Sequence, residues 1–179
     1  AAGANVLAVG VADSNSSLDE FRTPDANHST AGPTLDGRCK PDIIAPGNCL
    51  TACNDLNEPY IPSGDYSSFA VPVVAGAASL LIQKAKSEPN LYPAAYGSSS
   101  NCVLKSILMT SAKKLAGWHK GFETIEDDYE YPLDFKQGAG MLDALAAYKL
   151  LIAGLQHDGD VSNSGWDLNV LNAESAEEK

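Results

Sequence analysis

Apolar positions along the chain fall into short blocks separated by long polar ones. Residues 6–11, VLAVGV, form a continuous apolar run without alternation, the pattern of a parallel strand covered on both faces. Residues 13–38 are rich in Ser, Asn, Asp, Gly and Pro, each a turn former for its own reason, so they read as a long surface excursion. A second brief apolar segment, KPDIIAPG at 40–47, is confined by Pro41 and Pro46, and an irregular stretch, NCLTACNDLNEPYIP, follows it.

Beyond residue 62 the period changes. Phe69, Val73, Val74, Ala77, Leu80 and Leu81 recur at steps of three and four, while Ala70, Ala75, Gly76 and Ala78 keep the other faces slim. This predicts a helix packed on several sides. Pro72 does least harm in a first turn, which puts the start near Ser68 and places Ser67 or Ser68 at the cap. A second helix is predicted from a cap at Ser100 or Asn101, with Val103, Leu104, Ile107, Leu108, Ser111 and Leu115 on one face and Gly117 as its end. A third lies in 139–154, with Leu142, Leu145, Ala146 and Leu150 inward and Gly154 as its stop. Between them, GFETIEDDYEYPLD is acidic, but it lacks the ordered Asp/Asn and Gly spacing of a dedicated calcium loop and reads as a solvated face. The polar stretch from His157 onward is predicted to be peripheral, with Trp166 and Leu168 docking. The order strand, excursion, strand and three helices indicates an α/β layered domain with few strands for its helical content.

Composition narrows the functional classes. The chain has 179 residues, 44% hydrophobic, and a formal charge of −11. That is enough apolar material for one core, and the charge argues against a nucleic-acid partner, whose phosphates are neutralised mainly by Lys and Arg. No apolar stretch approaches the roughly 20 residues that cross a bilayer, so no membrane partner is expected. The chain opens without Met and runs at once into a strand, which reads as a segment of a longer protein. Cys39, Cys49, Cys53 and Cys102 allow three complete pairings, or none if they are buried thiols. Cys49 and Cys53 lack the second half of a structural zinc site, and no metal site is expected.

Two adjacent serines at a helix start suggest chemistry. Oriented N–H groups there can both present a nucleophile and stabilise an oxyanion; a serine there can equally be only a cap. Several stretches, in order, decide for chemistry. NVLAVGVADSNSSLDEF, STAGPTLDGRCKPDIIAPG, SSFAVPVVAGAASLL, VLKSILMTSAKKL and QGAGMLDALAAYKLL together resemble the subtilisin-like serine proteases over about residues 1–152. The resemblance implies a three-layer fold with a mainly parallel sheet, of which residues 1–155 are the C-terminal part and 156–179 a tail. It also implies peptide-bond hydrolysis through an acyl-enzyme.

The family's nucleophile lies four residues before the proline, which selects Ser68 over Ser67. The sequence departs from the family at Tyr66, where the family has a glycine suited to positive φ or close backbone approach, and at Asp65, where it has serine. The family's catalytic Asp and His and its oxyanion Asn precede the serine by a wide margin, and no motif here matches them. Asn5 abuts a strand; His28, His119 and His157 read as loop or solvent residues; Asp36 and Asp42 match positions that anchor turns and strand ends. The resemblance therefore implies a fragment inactive alone, partnered by a polypeptide substrate and by the missing N-terminal half, prone to self-association, and acting outside the cytoplasm. Calcium belongs to the full family fold, with no residue here to hold it and no other cofactor expected. The competing reading is a non-catalytic scaffold or peptide-binding module of the same fold.

Overall fold

Strands β1 (Val9–Ala12) and β2 (Ile43–Pro46) run parallel, Val9 opposite Ile43 and Ala12 opposite Pro46. In this computed structural model, which describes residues 3, 5–14, 20–25, 27–122, 129–157, 159 and 162–169, the pair is the heart of the core. Val11, Ala12, Ile43, Ile44 and Ala45 are wholly buried, as the unbroken apolar runs require of strands covered on both faces. Each large aliphatic side chain so buried contributes about 1.5–3 kcal/mol. Backbone bonds extend this sheet at one point: Ile44 N–H donates to Gly140 O at 3.0 Å and Leu142 N–H to Ile44 O at 2.8 Å.

Helix α1 (Ser67–Ala85) packs across both strands. Its buried stripe is Ala70, Val74, Ala77, Leu81 and Ala85, small at three of five positions so that the helix axis approaches the sheet closely. Here the structure corrects the sequence expectation. Only one face is packed: Val71, Val73 and Leu80 are exposed. Pro72 also lies in the second turn, not the first, where its missing N–H deprives the Ser68 carbonyl of its usual i+4 donor. A further correction concerns the membrane, because α1 has 19 residues and is long and apolar enough, by length and composition, to cross a bilayer. Its Ala70–Ala85 stripe against β1 and β2 is that of a core helix.

A 3₁₀ turn at Pro89–Ala94 leads to α2 (Ser100–Thr110), which buries Val103, Leu104, Ile107 and Leu108. Capped without a side chain at Ser99, α2 stops before the expected Gly117 because the chain straightens to pair Lys113 with Met141. In α3 (Ala144–Ala153) the Asp143 carboxylate accepts the Ala146 N–H at 2.8 Å, and the inward pair is Ala147 and Leu151. Of the residues expected inward, Leu142 and Leu150 are partly buried against the same core, while Leu145 is exposed. Gly154, at φ 86°, ends α3 as expected. Trp166 docks as expected, its indole N–H donating to Leu151 O at 3.0 Å, and Leu168 packs on the same core. The stretch read as irregular contains an exposed antiparallel hairpin, β3 (Leu50–Ala52) with β4 (Tyr60–Pro62). None of the four cysteines is in a disulfide. Most of the acidic loop, residues 123–128, lies outside the described residues.

One buried charge group joins three segments. Asp42, at the start of β2, receives Lys40 Nζ at 2.6 Å, Lys105 Nζ of α2 at 3.0 Å and the Ala8 N–H at 2.6 Å. Asp36 pairs in the open with Arg38 at 2.9 Å. Both aspartates thus act as the anchors that the sequence suggested.

Candidate active site

The turn that delivers the two serines to the start of α1 is fixed from three sides. Gly64 takes φ +80°, a conformation costly for any residue with a Cβ. Ser63 Oγ accepts the Cys49 N–H at 3.0 Å and donates to Gly47 O at 2.7 Å. Asp65 accepts both the N–H (3.2 Å) and the hydroxyl (3.0 Å) of Ser14, just beyond β1.

Tyr66 is the residue that the family pattern would have as glycine. Its backbone is ordinary extended chain, φ −125° and ψ 137°, so a side chain costs nothing there. The close approach is provided from across the turn: a Cβ on Gly47 would lie 2.7 Å from Tyr66 O and 2.5 Å from a Val11 methyl. Tyr66 is also the N-cap, which corrects the expectation that Ser67 or Ser68 would be. It caps through its carbonyl, which accepts from Phe69 N–H at 3.0 Å and Ala70 N–H at 3.3 Å.

Both serines are thereby released from capping. They occupy the first turn, whose N–H groups have no partner within the helix. Ser68 is exposed, and Ser67 is half-buried against a cavity of about 210 Å³ lined also by Val9, Gly10, Ser29, Gly32 and Lys40. Among the described residues, neither hydroxyl has a hydrogen-bond partner.

None of the three histidines is hydrogen-bonded to Ser68. His119 places Nδ1 2.8 Å from Lys120 O, and His157 is exposed beyond α3. His28 lies in the loop excursion, as expected, but is partly buried and paired. Its Nδ1 lies 2.8 Å from Oδ1 of the buried Asp13, and its ring meets Tyr66 edge-on at 6.0 Å. Asp13 is held in turn by the Asp25 N–H at 2.9 Å, with Arg22 Nε at 3.9 Å. The hydrogen bond to Asp13 raises the His28 imidazole above its ordinary value; partial burial opposes this, and the charges of Asp13, Asp25 and Asp65 reinforce it. Asp13, His28 and Asp65 offer ligand-type atoms within 4.8 Å of one another. Nothing in the spacing of 13, 28 and 65 could have announced the group, because it assembles only when the excursion folds back over the end of β1.

Comparison with known proteins gives a consistent result. The pattern of the subtilase family of peptidases matches residues 1–140. The C5a peptidase of Streptococcus pyogenes is 34% identical over 119 residues, which is 66% of this chain but 9% of that protein. Serine protease AprX of Bacillus subtilis is 33% identical over 101 residues, 49% of this chain and 22% of that protein. Among solved structures, the Clostridium perfringens CspB protease superposes with a TM-score of 0.53 at 25% identity, covering 82% of this chain and 27% of that one. The chain thus spans a small part of each of these relatives.

Proposed function

The chain belongs to the subtilase family, and from that membership we propose that residues 1–155 are the C-terminal part of a subtilisin-like serine endopeptidase domain, with Ser68 as the nucleophile and residues 156–179 as an appended tail. The observation that carries this is the state of Ser68: exposed, in the first turn of α1, four residues before Pro72, its hydroxyl uncommitted. A serine that served only as a cap would have its oxygen on a backbone N–H, and here the Tyr66 carbonyl does that work.

In the reaction proposed, Ser68 Oγ attacks the scissile carbonyl carbon while a histidine from upstream takes its proton. The tetrahedral oxyanion is met by the free N–H groups of the helix start together with an upstream donor. Its collapse expels the amine, which takes the proton from the histidine, and water then releases the acyl group. The chain alone, having no base on Ser68, does not turn over. The substrate is a polypeptide and the site of action extracytoplasmic, both by family resemblance. Val73 and Leu80, exposed and seven residues apart on one side of α1, are where the rest of the domain packs; in its absence, apolar surface of this kind drives self-association. Sedimentation of the isolated chain at high concentration should show dimers or larger species, and a clean monomer would count against this.

The direct test is labelling by a fluorophosphonate, which reacts only with an activated serine. The longer polypeptide should be labelled at Ser68 and the isolated chain should not. A longer polypeptide that resists labelling while folding normally would favour the scaffold reading.

A further inference from the structure

We propose that Asp13, His28 and Asp65 form a binding site for a divalent transition-metal ion of the zinc class, which ties the turn before α1 to the end of β1. The site is independent of whether Ser68 is the nucleophile.

Three separate segments supply the ligands: the residue after β1, the excursion and the turn before α1. Their ligand atoms already lie within 4.8 Å of one another. Bonds of about 2.0–2.2 Å to a tetrahedral ion put ligand atoms roughly 3.3–3.6 Å apart. The His28–Asp13 pair, at 2.8 Å, must open by about half an ångström, and Asp65, whose ligand atom lies within 4.8 Å of the other two, must settle at the same spacing. One imidazole with two carboxylates suits zinc, manganese or cobalt; calcium, which takes oxygen ligands, is disfavoured by the imidazole.

The surroundings fit a cation. Three carboxylates, Asp13, Asp25 and Asp65, gather around His28, and Arg22 is a cation beside them, its Nε 3.9 Å from Asp13. The ligands are also held from behind. Asp25 N–H fixes Asp13, and Ser14 fixes Asp65 through two bonds, the kind of outer support that orients metal ligands. A second observation is independent of the charges. Asn48 donates its Nδ2 to Ser14 Oγ at 3.2 Å, yet its Oδ1 is buried with no hydrogen-bond partner. An orphaned buried oxygen is costly, and the Asn48 side chain that carries it is one hydrogen bond removed from Asp65, through Ser14 Oγ. His28 keeps 38% of its side chain exposed, which leaves a path for entry.

Titration of the chain with Zn²⁺ by calorimetry, and with Co²⁺ by absorption, tests the site without recourse to catalysis. The expected result is saturable binding of one ion per chain, with cobalt d–d bands and no thiolate charge-transfer band. His28→Gln and Asp65→Asn should each weaken it by about 10–100-fold or more. His28 is partly exposed, so its variant tests binding in a folded chain. The proposal is overturned by absence of saturable binding, by binding that His28→Gln leaves unchanged, or by a thiolate band, which would assign the ion to the free cysteines. Failure here would leave the labelling of Ser68 untouched, and the reverse also holds.

Discussion

In the longer polypeptide that supplies a base and its carboxylate, Ser68→Ala is expected to lower kcat for peptide cleavage by about 10⁶-fold, the scale on which removal of a triad nucleophile acts. Ser67→Ala should cost far less. The two hydroxyls differ by one position and share the first turn of α1, so loss of a cap or of general polarity would affect them alike. The physical difference is that Ser68 is exposed, while Ser67 faces a cavity lined by β1 and the excursion. Ser67→Ala therefore removes a lining hydroxyl and should act through KM or a modest fall in kcat, with the labelling of Ser68 retained. Stability should not separate the variants, because neither side chain has a hydrogen-bond partner among the described residues. Peptidase kinetics on matched amounts of folded protein decide the matter. Equal activity of Ser68→Ala and the parent would sink the assignment, and a large kcat loss in Ser67→Ala alone would move the nucleophile by one residue.

Much of this geometry was legible in the sequence because it depends on local pattern. The unbroken apolar run at 6–11 marks a strand covered on both faces, and the brief apolar segment within 40–47 marks a second short one; they are β1 and β2. What failed depended on partners that periodicity does not carry. Hydrophobic period alone puts Val73 and Leu80 on the packed side of α1; the sheet instead selects the slim stripe of Ala70, Val74, Ala77, Leu81 and Ala85. In α3 the expected Leu142 and Leu150 pack on the core, but the most deeply buried positions are Ala147 and Leu151, and Leu145 faces outward. The family pattern has glycine at position 66, whereas here the close approach to Tyr66 is made by Gly47, 19 positions earlier and across the turn. The Asp13–His28–Asp65 group was invisible for a related reason: it spans three segments with no common period.

The second large effect is on stability, at Asp42. Asp42→Ala is expected to destabilise the fold by about 3–5 kcal/mol, the cost of removing one partner from a buried ion pair, out of a total that is typically about 5–15 kcal/mol. The reason is what remains behind. Lys40 keeps only 8% of its side chain exposed, so its ammonium would be left uncompensated in the interior, and the Ala8 N–H would lose its 2.6 Å acceptor. Asp36→Ala is the contrast. Its carboxylate is 62% exposed beside Arg38, and exposed pairs of this kind contribute little to stability. Burial, not the presence of a salt bridge, should decide the ranking. The pH dependence follows from the same geometry. Burial pushes the Asp42 carboxyl up, but hydrogen bonds from Lys40, the Ala8 N–H and Lys105 outweigh it and hold the group below its ordinary value of 3.8. A depressed carboxyl lends stability that is fully present above its unfolded value and lost as pH falls through the folded one. The gap between parent and Asp42→Ala should therefore be widest near neutrality and shrink below about pH 4. Urea midpoints at pH 7 and at pH 3 measure it, and a gap that stays constant across that range would mean that the Asp42 charge is not what holds β2 to α2.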